Sequence, residues 1–156
     1  MKDESLRKPG YELPFLLLSG FRVLVEEAHR RLADRGHADL RPAHGFAMQA
    51  VGAGSTTGEV ARALGVTKQA ASKTIERLTE MGYVAASRDP ADARRKIVVP
   101  TVRGVDMLEK SAVVFDEVYR EWGEQIGVEE LDGMHEGLRV LVGERALRVD
   151  HAGWLA

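Results

Sequence analysis

The fold is decided by residues 57–82, which read TGEVARALGVTKQAASKTIERLTEMG. Just before and inside this stretch, Thr56 and Glu59 have the spacing of a capping box, the arrangement that starts a helix by pairing two side chains with two free N–H groups. Thr57 is an alternative N-cap for the same helix. Gly65 then ends the helix, because glycine tolerates the left-handed conformation of a helix C-terminus. The segment therefore begins with one short helix.

A second helix starts almost at once. Thr67 is a natural N-cap, and the pattern predicts a helix from Lys68 to about Met81. Its apolar residues recur on one face, which we expect to be buried: Ala71, Ile75 and Leu78. Two short helices joined by so tight a turn predict a helix-turn-helix.

The other faces of the second helix carry short side chains and hydrogen-bond donors. A helix that enters the DNA major groove needs small residues to let its backbone approach, and donors that reach bases and phosphates. The alternative is an ordinary amphipathic surface helix. The residues predicted to contact DNA here are Thr67, Lys68, Gln69, Ser72, Lys73 and Arg77.

A hairpin is predicted directly after the helix-turn-helix. Residues 83–88 and 96–99 are short, partly alternating segments, and the charged stretch DPADARR separates them. This pattern predicts two antiparallel strands joined by a long loop. A charged hairpin after a helix-turn-helix is the layout of a winged helix.

The loop of the hairpin carries side chains suited to the minor groove. Arginines on a thin hairpin can reach a narrow groove, where the negative potential is strongest. Asp92 lies two residues before Arg94 and can hold its guanidinium in one orientation. The alternative is a solvated turn initiated by Asp89 and Pro90. The predicted wing contacts are Arg88, Asp92, Arg94, Arg95 and Lys96.

Helices are predicted on both sides of this core. The first, from about Phe15 to Arg35, has a stripe of apolar residues, and a shorter one covers about residues 43–51. The fifth, over residues 102–125, has heptad-like spacing, and the sixth runs from about Glu129 to Arg148. The stripe of the first helix is Leu17, Phe21, Leu24, Ala28 and Leu32, and the seam of the fifth is Val105, Leu108, Ala112, Phe115, Tyr119 and Trp122.

The charge is distributed unevenly along the 156 residues, although the net charge is only −2. Residues 61–104 hold nine basic and four acidic residues, whereas residues 105–156 hold five basic and twelve acidic ones. A polyanion is attracted by the charge of the surface that it contacts rather than by the net charge of the protein. The positive middle segment therefore favours a nucleic-acid partner. A solvated charged face is the alternative.

The composition argues against several other classes of protein. Cysteine is absent, so disulfides, thiolate metal sites and cysteine nucleophiles are excluded. The five histidines are scattered without metal-ligand spacing, and no phosphate-binding loop is present. No apolar run near the N-terminus approaches the ~20 residues that span a bilayer. We expect a soluble, cytoplasmic protein with no cofactor, metal or membrane contact, and a small enzyme with an unrecognised site remains only as an alternative.

Residues 57–104 resemble the DNA-binding core of the MarR family of bacterial transcription regulators. The similar stretches are residues 58–72, 75–84, 89–96 and 100–104. The Asp-x-Arg of the wing, Asp92 and Arg94, is the most specific of them, because a helix-turn-helix alone fits several winged-helix families. The chain departs from the family pattern in the small, glycine-rich segment 52–57 and in the few charges of residues 85–88.

The resemblance implies a fold that is mainly α-helical with a small β-hairpin wing. It implies a homodimer, in which residues 1–35 and 105–156 form the helical dimerisation region and residues 40–104 form the DNA-binding core. It further implies a sequence-specific regulator that binds double-stranded DNA at a pseudo-palindromic operator, with recognition helices in successive major grooves and wings in the flanking minor grooves. We expect a repressor that a small-molecule effector releases. The alternative is a winged-helix module that organises DNA or contacts proteins without a ligand.

The resemblance also suggests a ligand pocket where the dimerisation helices meet the DNA-binding core. Phenylalanine and methionine would give it an adaptable apolar lining, and His29 could orient an acidic or phenolic group. The alternative is that the candidates are ordinary core or surface residues. They are Val25, His29, Phe46, Met48, Met107 and Phe115.

Overall fold

The computed structural model describes residues 8–145. Its elements are α1 (Glu12–Asp34), α2 (Pro42–Val51), α3 (Thr57–Leu64), α4 (Lys68–Glu80), β1 (Val84–Arg88), β2 (Lys96–Pro100), α5 (Val102–Ile126) and α6 (Val128–Val142), and a 3-10 turn at Gly143–Arg145 follows. The predicted fold class, mainly α-helical with a β-hairpin wing, is confirmed. The expected end of the sixth helix at Arg148 lies outside the described residues, as do residues 1–7.

The helix-turn-helix forms through the predicted caps. Thr56 Oγ1 accepts a hydrogen bond from the Glu59 backbone N–H at 3.2 Å, and Glu59 Oε2 accepts one from the Thr56 N–H at 2.8 Å. Gly65 ends α3 in the left-handed conformation, with φ at 65°. Thr67 Oγ1 accepts from the Ala70 N–H at 3.1 Å and starts α4. The capping-box prediction is confirmed, and Thr57 is the first residue of α3 rather than its cap.

The wing is an antiparallel hairpin whose register runs from Val84 opposite Pro100 to Arg88 opposite Lys96. A third segment joins it, because Ser55 and Val98 exchange two backbone hydrogen bonds of 3.0 and 2.8 Å. The hairpin is thereby attached to the chain just before α3. The wing and the helix-turn-helix consequently form one unit.

The glycine-rich segment before α3 has a structural explanation. Gly54 adopts a φ of 155°, and a Cβ on it would meet the Ile97 and Val99 side chains at 3.1 and 3.2 Å. Ser55 Oγ donates to the Val51 carbonyl at 3.1 Å and ties the segment to the end of α2. Small residues are therefore needed here so that the backbone can lie against β2.

The hydrophobic core is continuous across the predicted domain boundaries. Met48 of α2, Leu78 of α4 and Tyr83 before β1 are fully buried in it, and Leu32 of α1 and Met107 of α5 belong to the same cluster. The second half of α1 and the first half of α5 therefore pack into the DNA-binding core. The division at residues 35–40 and 104–105 stays a prediction.

The buried face of α5 differs from the expected seam. Of the six predicted seam residues only Leu108 is buried, whereas Val105 is 44% exposed. The buried side is formed instead by Gly104, Met107, Leu108, Ser111, Val114, Val118 and Gly123. Four of the other five seam residues are half-buried, and the seam as a contact between two chains stays a prediction.

The ends of the helical region expose apolar side chains. In the first half of α1, Phe15 is 68% exposed, and in α6 Val140 is 72% exposed. Leu131 is the only buried residue of α6. No helix of the described part of the chain has the length and apolar character of a bilayer-spanning segment.

The first turn of α5 is joined closely to the base of the wing. The Thr101 backbone N–H donates to the Tyr83 carbonyl at 3.0 Å, and its hydroxyl donates to the Gly82 carbonyl at 2.5 Å. Gly104 faces the same Tyr83 carbonyl, and a Cβ at this position would overlap that oxygen and crowd Met48. Glycine is therefore required where the helix crosses the strand.

Candidate nucleic-acid interface

The exposed face of α4 carries uncommitted hydrogen-bond donors. Lys68, Gln69 and Lys73 are exposed, and within residues 8–145 their side chains make no hydrogen bond or ion pair. Ala70 is also exposed and Ser72 is half-buried, so short side chains lie between the longer ones. This arrangement lets the backbone approach a groove while the long donors reach past it.

Arg77 is the predicted α4 contact that differs from the others. Its guanidinium donates to Glu80 Oε2 at 3.0 Å, and both side chains are more than half exposed. An exposed pair of this kind contributes little and is readily exchanged for a stronger anion. Arg77 is thus available for a phosphate, although it is not free.

Arg94 stands at the tip of the wing and is 94% exposed. Its backbone N–H donates to Asp92 Oδ1 at 3.0 Å, and its Nε lies 3.4 Å from the same oxygen. Asp92 therefore orients both the loop and the guanidinium, as the sequence predicted. The remaining nitrogens of Arg94 point away from the protein and can donate to a base edge or sugar.

Arg95 has a different environment from its neighbour. Its NH1 donates to Asp89 Oδ2 at 3.0 Å, and its NH2 donates to Glu59 Oε1. Glu59 is also the capping residue of α3, and its pKa is lowered first by the Thr56 N–H and further by Arg95. Arg95 thus joins the wing to the helix-turn-helix, and this role could not be read from the sequence because Glu59 lies 36 positions away.

The two remaining wing candidates lie at the edges of the hairpin. Arg88 is exposed and its NH1 lies 3.4 Å from the Ala93 carbonyl across the loop. Lys96 is exposed at the start of β2 and, in the described part of the chain, its ammonium group makes no ion pair. Both are placed to strengthen the positive field of the wing.

A polar network forms around the buried residues His37 and Tyr83 at the base of the wing, and sequence reasoning did not find it. His37 is 2% exposed; its Nδ1 lies 2.9 Å from the Tyr83 hydroxyl and its Nε2 lies 2.8 Å from Asp106 Oδ2. Arg103 donates to the same hydroxyl at 3.1 Å, and Lys110 donates to Asp106 at 2.8 Å. The network connects the end of α1, the base of the wing and α5.

The electrostatics of this network follow from its partners. A carboxylate only accepts, so Nε2 of a neutral His37 carries the proton and Nδ1 accepts from the Tyr83 hydroxyl. Burial raises the pKa of Tyr83, while Arg103 opposes that change. Lys110 and then His37 lower the pKa of Asp106. Residues so far apart in the chain gave no periodic signal from which the network could be predicted.

The six predicted pocket residues divide into two groups. Val25, Met48 and Met107 are buried in the protein interior. His29, Phe46 and Phe115 are half-buried around it. Burial, followed by the nearby His44, lowers the pKa of His29. The ligand pocket itself stays a prediction.

Comparisons with known proteins bear on this geometry. A model of the MarR family matches residues 46–95, from α2 to the loop of the wing. No curated protein sequence matches the chain significantly.

Solved structures resemble the chain over most of its length. A MarR-family transcriptional regulator from Rhodococcus sp. RHA1 is 19% identical, with a TM-score of 0.65 over 91% of this chain and 99% of that one. CouR from Rhodococcus jostii RHA1, bound to p-coumaroyl-CoA, is 20% identical, with a TM-score of 0.63 over 85% and 92%. MepR from S. aureus, bound to ethidium bromide, is 23% identical, with a TM-score of 0.58 over 86% and 95%. The family match in the core and the shared fold confirm the resemblance to the MarR family.

Proposed function

We propose that this chain, whose core is the winged helix of MarR-family transcription regulators, works as a homodimer that binds DNA sequence-specifically. The observation that carries the proposal is that one segment of the molecule exposes side-chain N–H groups that are available to bind DNA. Lys68, Gln69 and Lys73 of α4 and Arg94 of the wing all project from the basic stretch 61–104.

The two parts of this surface suit different grooves. The first turns of α4 enter the major groove, where Gln69 reads a base edge and Lys68 and Lys73 contact phosphates. Arg94, oriented by Asp92, enters the adjacent minor groove. Arg95 supports this contact by holding the wing against α3, and the other contributors are Thr67, Ser72, Arg77, Arg88 and Lys96.

The exposed flanks support a dimer. The first half of α1 and the outer side of α6 present apolar side chains to water, which marks a surface that a partner covers. A two-fold dimer places its recognition helices about one helical turn of DNA apart, roughly 34 Å. The operator is then a pseudo-palindrome.

Small-molecule control is a separate part of the proposal. CouR binds p-coumaroyl-CoA and MepR binds ethidium bromide in structures of the same fold. In a dimer, the distance between the two recognition helices decides whether both can enter the DNA. A ligand that binds more tightly to the dimer with an unsuitable distance releases the operator, as in a repressor that its effector inactivates. The candidates for its pocket remain Val25, His29, Phe46, Met48, Met107 and Phe115. Regulators of this family are generally not enzymes, we assign no catalytic residue, and we place the protein in the cytoplasm.

The proposal is tested by selecting bound fragments from a random pool of duplex DNA and sequencing them. We expect a pseudo-palindromic motif with half-sites one helical turn apart. A footprint of uniform coverage with no motif would instead support an architectural DNA-binding role. Absence of DNA binding at low salt would contradict the proposal altogether.

A further inference from the structure

An open, polar recess lies between the turn that follows α1 and the second half of α4. It has a volume of about 500 Å³, and its lining combines charged and polar side chains from three parts of the chain. The lining residues are Ala38, Asp39, Leu40, Arg41, His44 and Arg77. None of the six predicted pocket residues belongs to this lining, so the recess is a separate feature.

His44 is a largely buried residue that lines the recess and has one ring nitrogen without a partner in the described part of the chain. It is 8% exposed, and its Nδ1 accepts a hydrogen bond from the Arg41 backbone N–H at 3.1 Å. In a neutral imidazole this bond leaves the proton on Nε2. Within residues 8–145 no side chain or carbonyl accepts from Nε2, so this N–H is unused in a residue that lines the recess.

The surroundings favour the neutral form of the His44 imidazole, because they lower its pKa. Burial is the main cause that lowers the pKa of His44, and the charges of Arg41 and Arg77 lower it further. Two guanidinium groups from different elements thus converge on one buried imidazole.

With a neutral His44, the side chains that line the recess carry a net charge of +1. Arg41 and Arg77 contribute two positive charges and Asp39 one negative charge. Glu80 pairs with Arg77 on the exposed side of α4. The recess also lies at the start of α2, where Pro42 occupies the first helical position and the positive end of the helix dipole favours an anion.

We propose that Arg41, His44 and Arg77 form a binding site for a phosphate-type oxyanion. Two guanidinium groups can each donate two parallel hydrogen bonds to such a group, and the His44 N–H fixes its third side. The oxyanion has two sources: a phosphodiester of the bound DNA, since Arg77 belongs to the recognition helix, or a free phosphorylated molecule. The inference rests on the proposed function only for the first source.

The first experiment needs no DNA. Potassium phosphate is titrated into ¹⁵N-labelled protein at constant ionic strength against potassium chloride, and the imidazole nitrogen resonances of His44 are followed. We expect Nε2 to shift saturably with phosphate alone. Arg41→Gln and Arg77→Gln should each weaken phosphate binding about tenfold, as the loss of a charge-assisted hydrogen bond implies.

Two further variants separate this site from a general effect of charge. Arg120→Gln removes an exposed arginine of α5 that does not line the recess and should leave phosphate binding unchanged. Arg41→Lys keeps the positive charge but lacks the paired N–H donors of a guanidinium group. It should therefore bind phosphate more tightly than Arg41→Gln and less tightly than the wild type. Circular dichroism of each variant checks that the fold is retained. Equal weakening by Arg120→Gln would overturn the proposal.

The second experiment distinguishes the two sources. The salt dependence of operator affinity is measured for the wild type and for Arg41→Gln. The slope of log affinity against log salt concentration should fall by about 1.8 if each protomer of a dimer loses one phosphate contact, and that result supports the DNA source. An unchanged slope together with the phosphate-dependent shift of His44 supports a free phosphorylated ligand.

The proposal fails if phosphate shifts no His44 resonance beyond chloride and Arg41→Gln keeps the wild-type salt slope. This failure leaves the proposed function standing, because neither result bears on whether the chain selects a DNA motif. Conversely, a chain that selects no DNA motif but binds phosphate through Arg41 and Arg77 would refute the proposed function and leave this site intact.

Discussion

The interior around Met48 buries its apolar side chains, whereas the outer ends of α1 and α6 expose theirs. Met48 and Leu78 are inaccessible to water, and the hydrogen-bonding group of Tyr83 beside them is fully engaged. In the flanks, Phe15 and Val140 are more than two-thirds exposed on regular helices. Within the described residues the interior is covered by the chain itself, whereas the flanks leave apolar side chains exposed. Under the proposed function, one chain therefore contains a finished DNA-reading unit and an unfinished assembly surface.

The largest expected effect comes from placing charges on the unfinished surface. Phe15→Glu combined with Leu18→Glu should give a monomer and lower operator affinity about 100-fold or more, because each carboxylate would have to be buried without a partner. Analytical ultracentrifugation and gel-shift titration measure the two consequences. The apolar control, Phe15→Leu with Leu18→Met, should remain dimeric. A charged variant that stays dimeric would place the interface elsewhere.

Gly104 tests the finished interior. Gly104→Ala should lower the free energy of unfolding by about 1–3 kcal/mol, since a Cβ there overlaps the Tyr83 carbonyl. The matched control is Gly45→Ala in α2, where a Cβ meets nothing within 4 Å. That change should stabilise the protein by about 0.5–1 kcal/mol through helix propensity. Denaturant titration of both variants decides the matter, and equal effects would contradict the close crossing of α5 over Tyr83.

The neighbouring arginines of the wing should separate DNA contact from wing position. Arg94→Ala should lower operator affinity about 10-fold or more and change stability by less than about 0.5 kcal/mol, because its side chain is nearly all exposed. Arg95→Ala should instead raise amide hydrogen exchange in the wing, since it breaks the links to Asp89 and Glu59. If Arg94→Ala binds the operator normally, the wing assignment is wrong.

Two residues of α4 should differ in the kind of loss rather than in its size. Gln69→Ala should relax base preference at one position of each half-site, at a cost of about 1–3 kcal/mol for the preferred base. Lys73→Ala should weaken binding to every sequence and reduce the salt slope by about 1 for each protomer. Binding to a library of single-base operator variants at several salt concentrations distinguishes them. If Lys73→Ala lost base specificity instead, Lys73 would not be the phosphate contact that we assign to it.

The smallest effect is expected from the ion pairs that join α1 to α5. Arg31 bridges Glu27 and Glu121, with the Glu121 contact at 2.6 Å, and Arg30 and Arg31 lower the pKa of Glu27 from 4.5 to about 2. A lowered carboxylate pKa stabilises the fold above the unfolded value, and this contribution is lost as the pH falls from about 4.5 to about 2. The effect is small because Glu27, Arg31 and Glu121 are only partly buried at the protein surface, where solvent screens their charges. Thermal melts over this range should show a shallower decline for Arg31→Gln than for the wild type.

The sequence allowed the DNA-reading unit to be predicted closely because its signals are local. Thr56 with Glu59, Gly65 and Thr67 each act within four residues, so the helix boundaries of the helix-turn-helix were confirmed almost to the residue. The Asp92–Arg94 contact is equally local.

The parts that could not be predicted depend on residues far apart in the chain. The buried side of α5 includes glycine and serine, which carry no hydrophobic signal, and it became visible only once α1 and the core lay against it. Arg95 could not be separated from Arg94 without knowing that Glu59 lies beside it. The convergence of Arg41, His44 and Arg77 likewise depends on tertiary packing.

The junction of the wing with α5 has a mechanical consequence. Two hydrogen bonds of Thr101 join the start of α5 to Tyr83 and Gly82, and Gly104 packs against the Tyr83 carbonyl, so the helix is attached directly to the base of the hairpin. With 25 residues at about 1.5 Å each, α5 is a lever arm of roughly 37 Å, and its far end carries α6. If α5 tilts by about 3° about its far end, the base of the wing moves by roughly 2 Å. A displacement of this size is enough to break a hydrogen bond. In the proposed dimer, small angular adjustments between subunits would thereby become larger displacements at the DNA.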